Sequence, residues 1–118
     1  MLHQCAQFRG RMHKIFPITA FGAKHNVVVD ALNYRDDNTL AICVYEMLPD
    51  EHFEPWGVLT VNMSSSLAND TRAFVKSYSE NEEWADDLAR QIGGKKTNIS
   101  KQAGFCTVSL WDFSNLVI

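Results

Sequence analysis

Short bursts of apolar residues separated by turn formers dominate the first half of the chain, and that spacing predicts strands. "KIFPITAF" (14–21) is apolar, β-branched and aromatic, with Pro17 confining it to an edge or a strand start. "GAKH" supplies a turn, "NVVVDALNY" (26–34) a second strand and "RDDN" another turn. "TLAICVYE" (39–46) is the most continuous apolar run. Short connections between three strands imply an antiparallel meander rather than crossovers. After the polar, proline-bounded loop "MLPDEHFEP" (47–55), "WGVLTVNM" (56–63) reads as a fourth strand. In it Val58, Thr60 and Asn62 alternate with Leu59, Val61 and Met63. "SSSLANDT" breaks the pattern, and "RAFVKSY" (72–78) reads as a short strand.

The period then changes. Trp84, Ala85, Leu88, Ala89 and Ile92 recur at helical spacing and form one apolar stripe over residues 79–92. Ser79 with Glu82 three positions later has the form of a capping box, in which hydroxyl and carboxylate each satisfy an orphan backbone N–H. Gly93 suits the left-handed residue that ends a helix, and Lys95 and Lys96 stand beyond the negative end of its dipole. "GKKTNISKQAG" (94–104) reads as a loop and "FCTVSLWDF" (105–113) as a closing strand. A lone helix cannot bury its own stripe, so the expectation is an α+β fold. In it a small antiparallel sheet of five to six strands, opening with a meander, is covered by one amphipathic helix and followed by a C-terminal strand.

Length changes this picture little: 118 residues suit one domain, and 46 % hydrophobic content is enough for a core without a staple. The expected organisation is a flexible N-terminal extension, residues 1–13, and a single α+β domain, residues 14–118. The first fourteen residues carry Arg9, Arg11 and Lys14 without an acid and lack the apolar centre of a secretory signal; Met12 offers an alternative start. No run approaches the ~20 apolar residues of a membrane span. Cys5, Cys43 and Cys106 are odd in number and form no CxxC, so a cytoplasmic, reducing setting is expected. The sequons at Asn62, Asn69 and Asn98 are then coincidental.

Charge excludes more. Fourteen acids against eleven Lys and Arg disfavour direct nucleic-acid binding, which needs a basic face. His3, His13, His25 and His52 are scattered without HExxH, and the glycines form neither a P-loop nor GxGxxG. No metal, cofactor or catalytic residue is therefore expected. Cys106 with His25 or His52 is the weakest option, since a cysteine in an apolar strand usually packs. The aromatics lie in apolar strands and serve the core, except Trp56, which stands between Pro55 and Gly57 at a loop–strand junction as a candidate exposed binding aromatic.

Acids concentrate in two places. Glu80, Glu82, Glu83, Asp86 and Asp87 surround Trp84; the last four, with Arg90, lie opposite the apolar stripe, and Asp86 and Arg90 are in the favourable i,i+4 order. Glu46, Asp50, Glu51 and Glu54 form a second patch around the 47–55 loop. Solvation and the helix dipole account for the first set without a partner. If both patches share a side, they could instead meet a basic groove. Candidate partner-binding residues are thus Glu80, Glu82, Glu83, Asp86, Asp87, Asp50, Glu51, Glu54 and Trp56.

"NTLAICVYE", "WGVLTVNM", "AFVKSYSEN" and "AGFCTVSLWDF" resemble, in order and approximate spacing, a family of small uncharacterised proteins carried on conjugative elements and phages of Gram-positive gut bacteria. The resemblance runs from about Lys14 onward; Thr39 and the loop around Glu51 depart from it. It brings no catalytic residue. It implies an accessory protein of a mobile element, a context in which blocking a host defence nuclease is common. The expectation is a non-catalytic module that binds a host protein, an anti-CRISPR-like inhibitor working through its acidic surface. The alternative is an accessory or regulatory protein acting through self-association or a sheet edge.

Overall fold

The computed structural model describes residues 4–118. Ten strands in antiparallel arrangement and one short α-helix occur among them, a sheet-rich form of the α+β expectation. The layout differs from one sheet under one helix. Strands β3 (Phe16–Ala20), β4 (Ala23–Asn33), β5 (Leu40–Met47) and β6 (Phe53–Val58) form a first four-stranded sheet in sequence order. Strands β7 (Thr60–Val61), β8 (Arg72–Val75), β9 (Lys95–Ala103) and β10 (Cys106–Asp112) form a second, in the order β7-β8-β10-β9. Leu59 is the joint. Its N–H donates to Ile42 and its carbonyl accepts from Lys76, so one segment leaves the edge of the first sheet and enters the edge of the second.

Between the sheets lies the main core. Phe16, Ile18, Val27, Val29, Ile42 and Val44 come from the first sheet, Ala73, Val75 and Trp111 from the second, and Trp84, Leu88 and Ile92 from the helical segment. The apolar stripe read from the sequence is thus the part of that segment that docks inward. Its backbone departs from the expected continuous helix: residues Ser79–Asn81 form a 3-10 turn, and α1 covers only Ala85–Gln91. The capping box does not form. Ser79 has a left-handed φ of 57°, and no side-chain cap bond is made at either start. The cause is tertiary. Asn81 is buried and donates its side-chain amide to Val58 O at 2.8 Å, while the Trp84 indole donates to Glu80 O at 3.1 Å. These bonds hold the first turn against β6 in a shape that a regular helix could not keep.

The C-terminal end follows expectation. Gly93 has φ 97°, its N–H donates to Arg90 O, and Gly94 N–H donates to Ala89 O, the paired bonds of a Schellman motif. Three strands were not anticipated by the pattern. Lys95–Ala103, read as a loop, is β9, an edge strand polar on both faces except for half-buried Ile99 and Ala103. Residues Cys5–Phe8 (β1) and Arg11–Lys14 (β2), expected as part of a flexible extension, pair as a hairpin. That hairpin lays Phe8 beside Val28, Tyr45 and Phe53 on the outer face of the first sheet.

Candidate functional site

The turn between β3 and β4 is where the candidate surface begins. Ala20 pairs with Ala23, leaving Phe21–Gly22 as a two-residue loop with φ 55° and 78°. Positive φ at both positions matches the twist of a hairpin, and the first of them usually holds Asn, Asp or Gly. A phenylalanine there is strained, and it is also 61 % exposed. Glu83 holds the turn by accepting the Phe21 N–H at 3.2 Å. The Phe21 ring lies 6.0 Å from that of Trp56, and Trp56 in turn meets Trp84 edge-on at 6.0 Å.

Trp56 is half-buried rather than exposed. It occupies the register shift between β5 and β6, and its buried Nε1 has no hydrogen-bond partner among the described residues. Its neighbour on the β4 side is His25, ring to ring at 4.5 Å. His25 donates toward Glu46 Oε2 at 2.6 Å and faces Ala20 O at 3.2 Å, so each ring nitrogen is engaged with an acceptor. Glu46 stands directly across from Glu54 in the β5–β6 ladder, a like-charge pair that the His25 contact on Glu46 relieves.

Helix and hairpin acids are linked to the same aromatic group, but unequally. Glu83 reaches the aromatic group through Phe21, Glu54 through Glu46 and His25, and Glu80 through its carbonyl under Trp84. Glu51 lines a cleft of about 440 Å³ beside Lys24, His25 and Glu46. Asp50 turns inward on its own loop, accepting from His52 Nδ1 at 2.7 Å and from His52 N–H at 3.2 Å, with the backbone bond foremost in holding its carboxyl below the usual range. Asp86 and Asp87 lie farther along α1, beyond the aromatic group.

Several of these carboxylates already have partners in the chain. Lys76 Nζ lies 2.6 Å from Glu80 Oε1, and chiefly through that hydrogen bond the Glu80 carboxyl drops to about 2. Lys96 Nζ stands 3.8 Å from Asp86, and the Gln91 amide donates to Asp87 at 3.1 Å. The anticipated Asp86–Arg90 pair is absent among the described residues, and Arg90 instead lies 5.4 Å over the Trp111 ring. Glu51, Glu54 and Glu82 are exposed and make no ion pair among the described residues. The residues that the sequence reading missed are Phe21 and Asn81, and it weighed His25 only as a metal ligand or as a base for Cys106. For Phe21 a signal existed, since a residue followed by glycine between two apolar strands is a hairpin turn pattern.

Cys106 pairs with Ala103 at the β9–β10 turn of the second sheet, whereas His25 and His52 belong to the first sheet and its β5–β6 loop. Neither histidine is hydrogen-bonded to it. Among the described residues no group of three or more His, Cys, Asp or Glu could hold a metal ion. No helix among them is long and apolar enough to cross a membrane.

The class that emerges is a small sheet-rich α+β domain in which Phe21, Trp56 and Trp84 form one aromatic group, with Glu83 bonded to the Phe21 turn and Glu46 to His25 beside it. Residues 28–116 match the family described as Domain of unknown function (DUF4313), and the chain belongs to that family. No curated protein and no solved structure matches it.

Proposed function

We propose that this protein is a non-catalytic protein-binding module whose anionic, aromatic-centred end docks on a basic groove of a host protein. The observation that carries the reading is the Glu83–Phe21–Trp56 chain of contacts, which links an acid of the helical segment to the aromatic residue of β6. Trp56 and Phe21 supply the apolar centre that such an interface needs, and Glu51, Glu54 and Glu82 a rim of carboxylates that makes no ion pair within the described residues. Grooves that hold nucleic acid are basic, and a fixed array of carboxylates beside aromatic rings complements them and steers association. The resemblance to proteins of conjugative elements and phages supports the fuller form of the reading: an accessory protein that inhibits a host defence nuclease, as an anti-CRISPR does.

The geometry ranks the candidate residues. Asp86, Asp87, Glu80 and Asp50 spend much of their capacity within the chain, so Glu51, Glu54 and Glu82 carry the contact with Trp56, beside Glu83, whose one bond is to the Phe21 N–H. The test is capture of a nucleic-acid-processing nuclease from host lysate, followed by competition with the nuclease's own nucleic acid. Salt-sensitive capture that is displaced by nucleic acid, and lost in the Glu54→Gln/Glu82→Gln/Glu83→Gln variant, is the expected result. Capture that the triple variant retains, or no capture of any nucleic-acid-binding protein, overturns the reading.

A further inference from the structure

The β9–β10 hairpin has the opposite character to the anionic end. From Gly93 to Trp111 the chain carries Lys95, Lys96 and Lys101 and neither Asp nor Glu, within a protein that is acidic overall. Lys96 faces Asp86 at the base of the hairpin, which leaves Lys101 as the cation nearer its tip.

The tip itself is held in one shape. Ala103 pairs with Cys106 across the two-residue turn Gly104–Phe105, and Gly104 takes the left-handed φ of 63° that such a turn needs first. The Gln102 side chain donates to Gly104 O at 3.2 Å and accepts from the Thr107 hydroxyl at 3.4 Å. The turn thereby presents Phe105 wholly to water, at 105 % of its reference exposure. A side chain so placed adds nothing to the fold. On a braced turn, it can enter a partner's apolar surface with little ordering cost.

Phe21 is the second exposed phenylalanine, and it lies at the anionic end against Trp56. No ring contact joins Phe105 to Phe21 within one molecule among the described residues, and the two belong to different sheets. We propose that they are the two halves of a head-to-tail self-association. In it Phe105 of one copy packs on Phe21 and Trp56 of the next, and Lys101 meets the carboxylates of Glu54 and Glu82. Charge complementarity selects a second copy as the occupant: an acid-free hairpin with an aromatic tip faces an acid-rich surface with an aromatic centre. Because the two patches differ, the contact is heterologous, and copies can add one after another. The inference rests on reading the anionic end as a docking surface. It makes self-association a competitor of any basic partner for that end.

Sedimentation velocity over a wide concentration range tests it. The expected wild-type behaviour is a mean mass that rises past the dimer with concentration and falls with added salt. Phe105→Asp and Phe21→Asp, each checked for native circular dichroism, should weaken association by about thirtyfold or more, the loss expected of a central aromatic anchor. An equimolar mixture of the two variants should recover a heterodimer and stop there, since each variant keeps one intact half. A wild type that stays monomeric throughout, a Phe105→Asp variant that still associates, or a mixture that stays monomeric overturns the proposal. Phe105→Asp leaves the anionic end intact, so nuclease capture by that variant reads the docking function separately from self-association.

Discussion

Glu83 accepts the backbone N–H of Phe21 at 3.2 Å, tying the start of α1 to the tip of the β3–β4 hairpin. Through this bond an acid on the helical segment and an aromatic on the first sheet share one end of the molecule. It also holds a phenylalanine in a backbone conformation that favours smaller residues.

Phe21→Asn separates the two roles of that position. Asparagine tolerates left-handed φ, whereas other L-residues pay roughly 1–2 kcal/mol there. Some of this gain is offset by loss of the ring contact with Trp56, so stability should rise by up to about 1 kcal/mol in urea unfolding while partner capture weakens. Destabilisation by more than about 1 kcal/mol would make Phe21 a structural residue instead.

The two central tryptophans should respond differently to replacement by phenylalanine. Trp84 is almost fully buried and its indole donates to Glu80 O, so Trp84→Phe loses a hydrogen bond and leaves space in the core, at a cost of about 2–3 kcal/mol. Trp56 Nε1 is buried without a partner among the described residues, so Trp56→Phe removes an unsatisfied donor. Its cost should be under about 1 kcal/mol. Thermal or denaturant unfolding of the two variants side by side measures the difference.

Glycine at the end of α1 is required twice over. Gly93 has φ 97°, and a Cβ there would meet the Asn115 carbonyl. Gly93→Ala should therefore cost at least about 2 kcal/mol, combining backbone strain with a clash. Gly104→Ala is the control. Its φ is 63° but the space around it is open, so it should pay only the strain, about 1 kcal/mol.

The Lys76–Glu80 contact makes a pH prediction. Chiefly through the hydrogen bond from Lys76, the Glu80 carboxyl sits at about 2 instead of 4.5. A depressed carboxyl contributes stability that is present above the unfolded value and is lost as pH falls from 4.5 toward 2. Carboxyl carbon NMR should place the Glu80 midpoint near 2, and Lys76→Met should move it up toward 4.5. A midpoint already near 4.5 in the parent would show that the pair does not persist in water.

Local pattern was enough to reveal the central strands, the stripe from Trp84 to Ile92 and the helix stop at Gly93, because each rests on neighbours close in sequence. The polar strand β9 escaped notice for a physical reason. An edge strand that buries only Ile99 and Ala103 needs no apolar alternation, and its lysines read as loop. The β1–β2 hairpin escaped in the same way, since Phe8 and His13 are its buried anchors in an otherwise polar stretch. The capping box was a sound local rule that lost to the long-range bond between Asn81 and Val58.

The candidate site divides along the same line. Clustering along the chain marked the acids, and the loop–strand junction between Pro55 and Gly57 marked Trp56. Which acids are paired was only partly written there: Lys76 with Glu80 and Gln91 with Asp87 are neighbours four apart, whereas Lys96 reaches Asp86 only when β9 folds back beside α1. The position of Phe21 beside Trp56 was not written there, since it depends on strand register and on Glu83 closing the gap between helix and hairpin. Hydrophobic period and turn chemistry act over a few residues and can be read from the chain. The division into two sheets at Leu59, and the link from Glu83 to the β3–β4 turn, depend on hydrogen bonds between distant residues. Those exist only in the folded molecule.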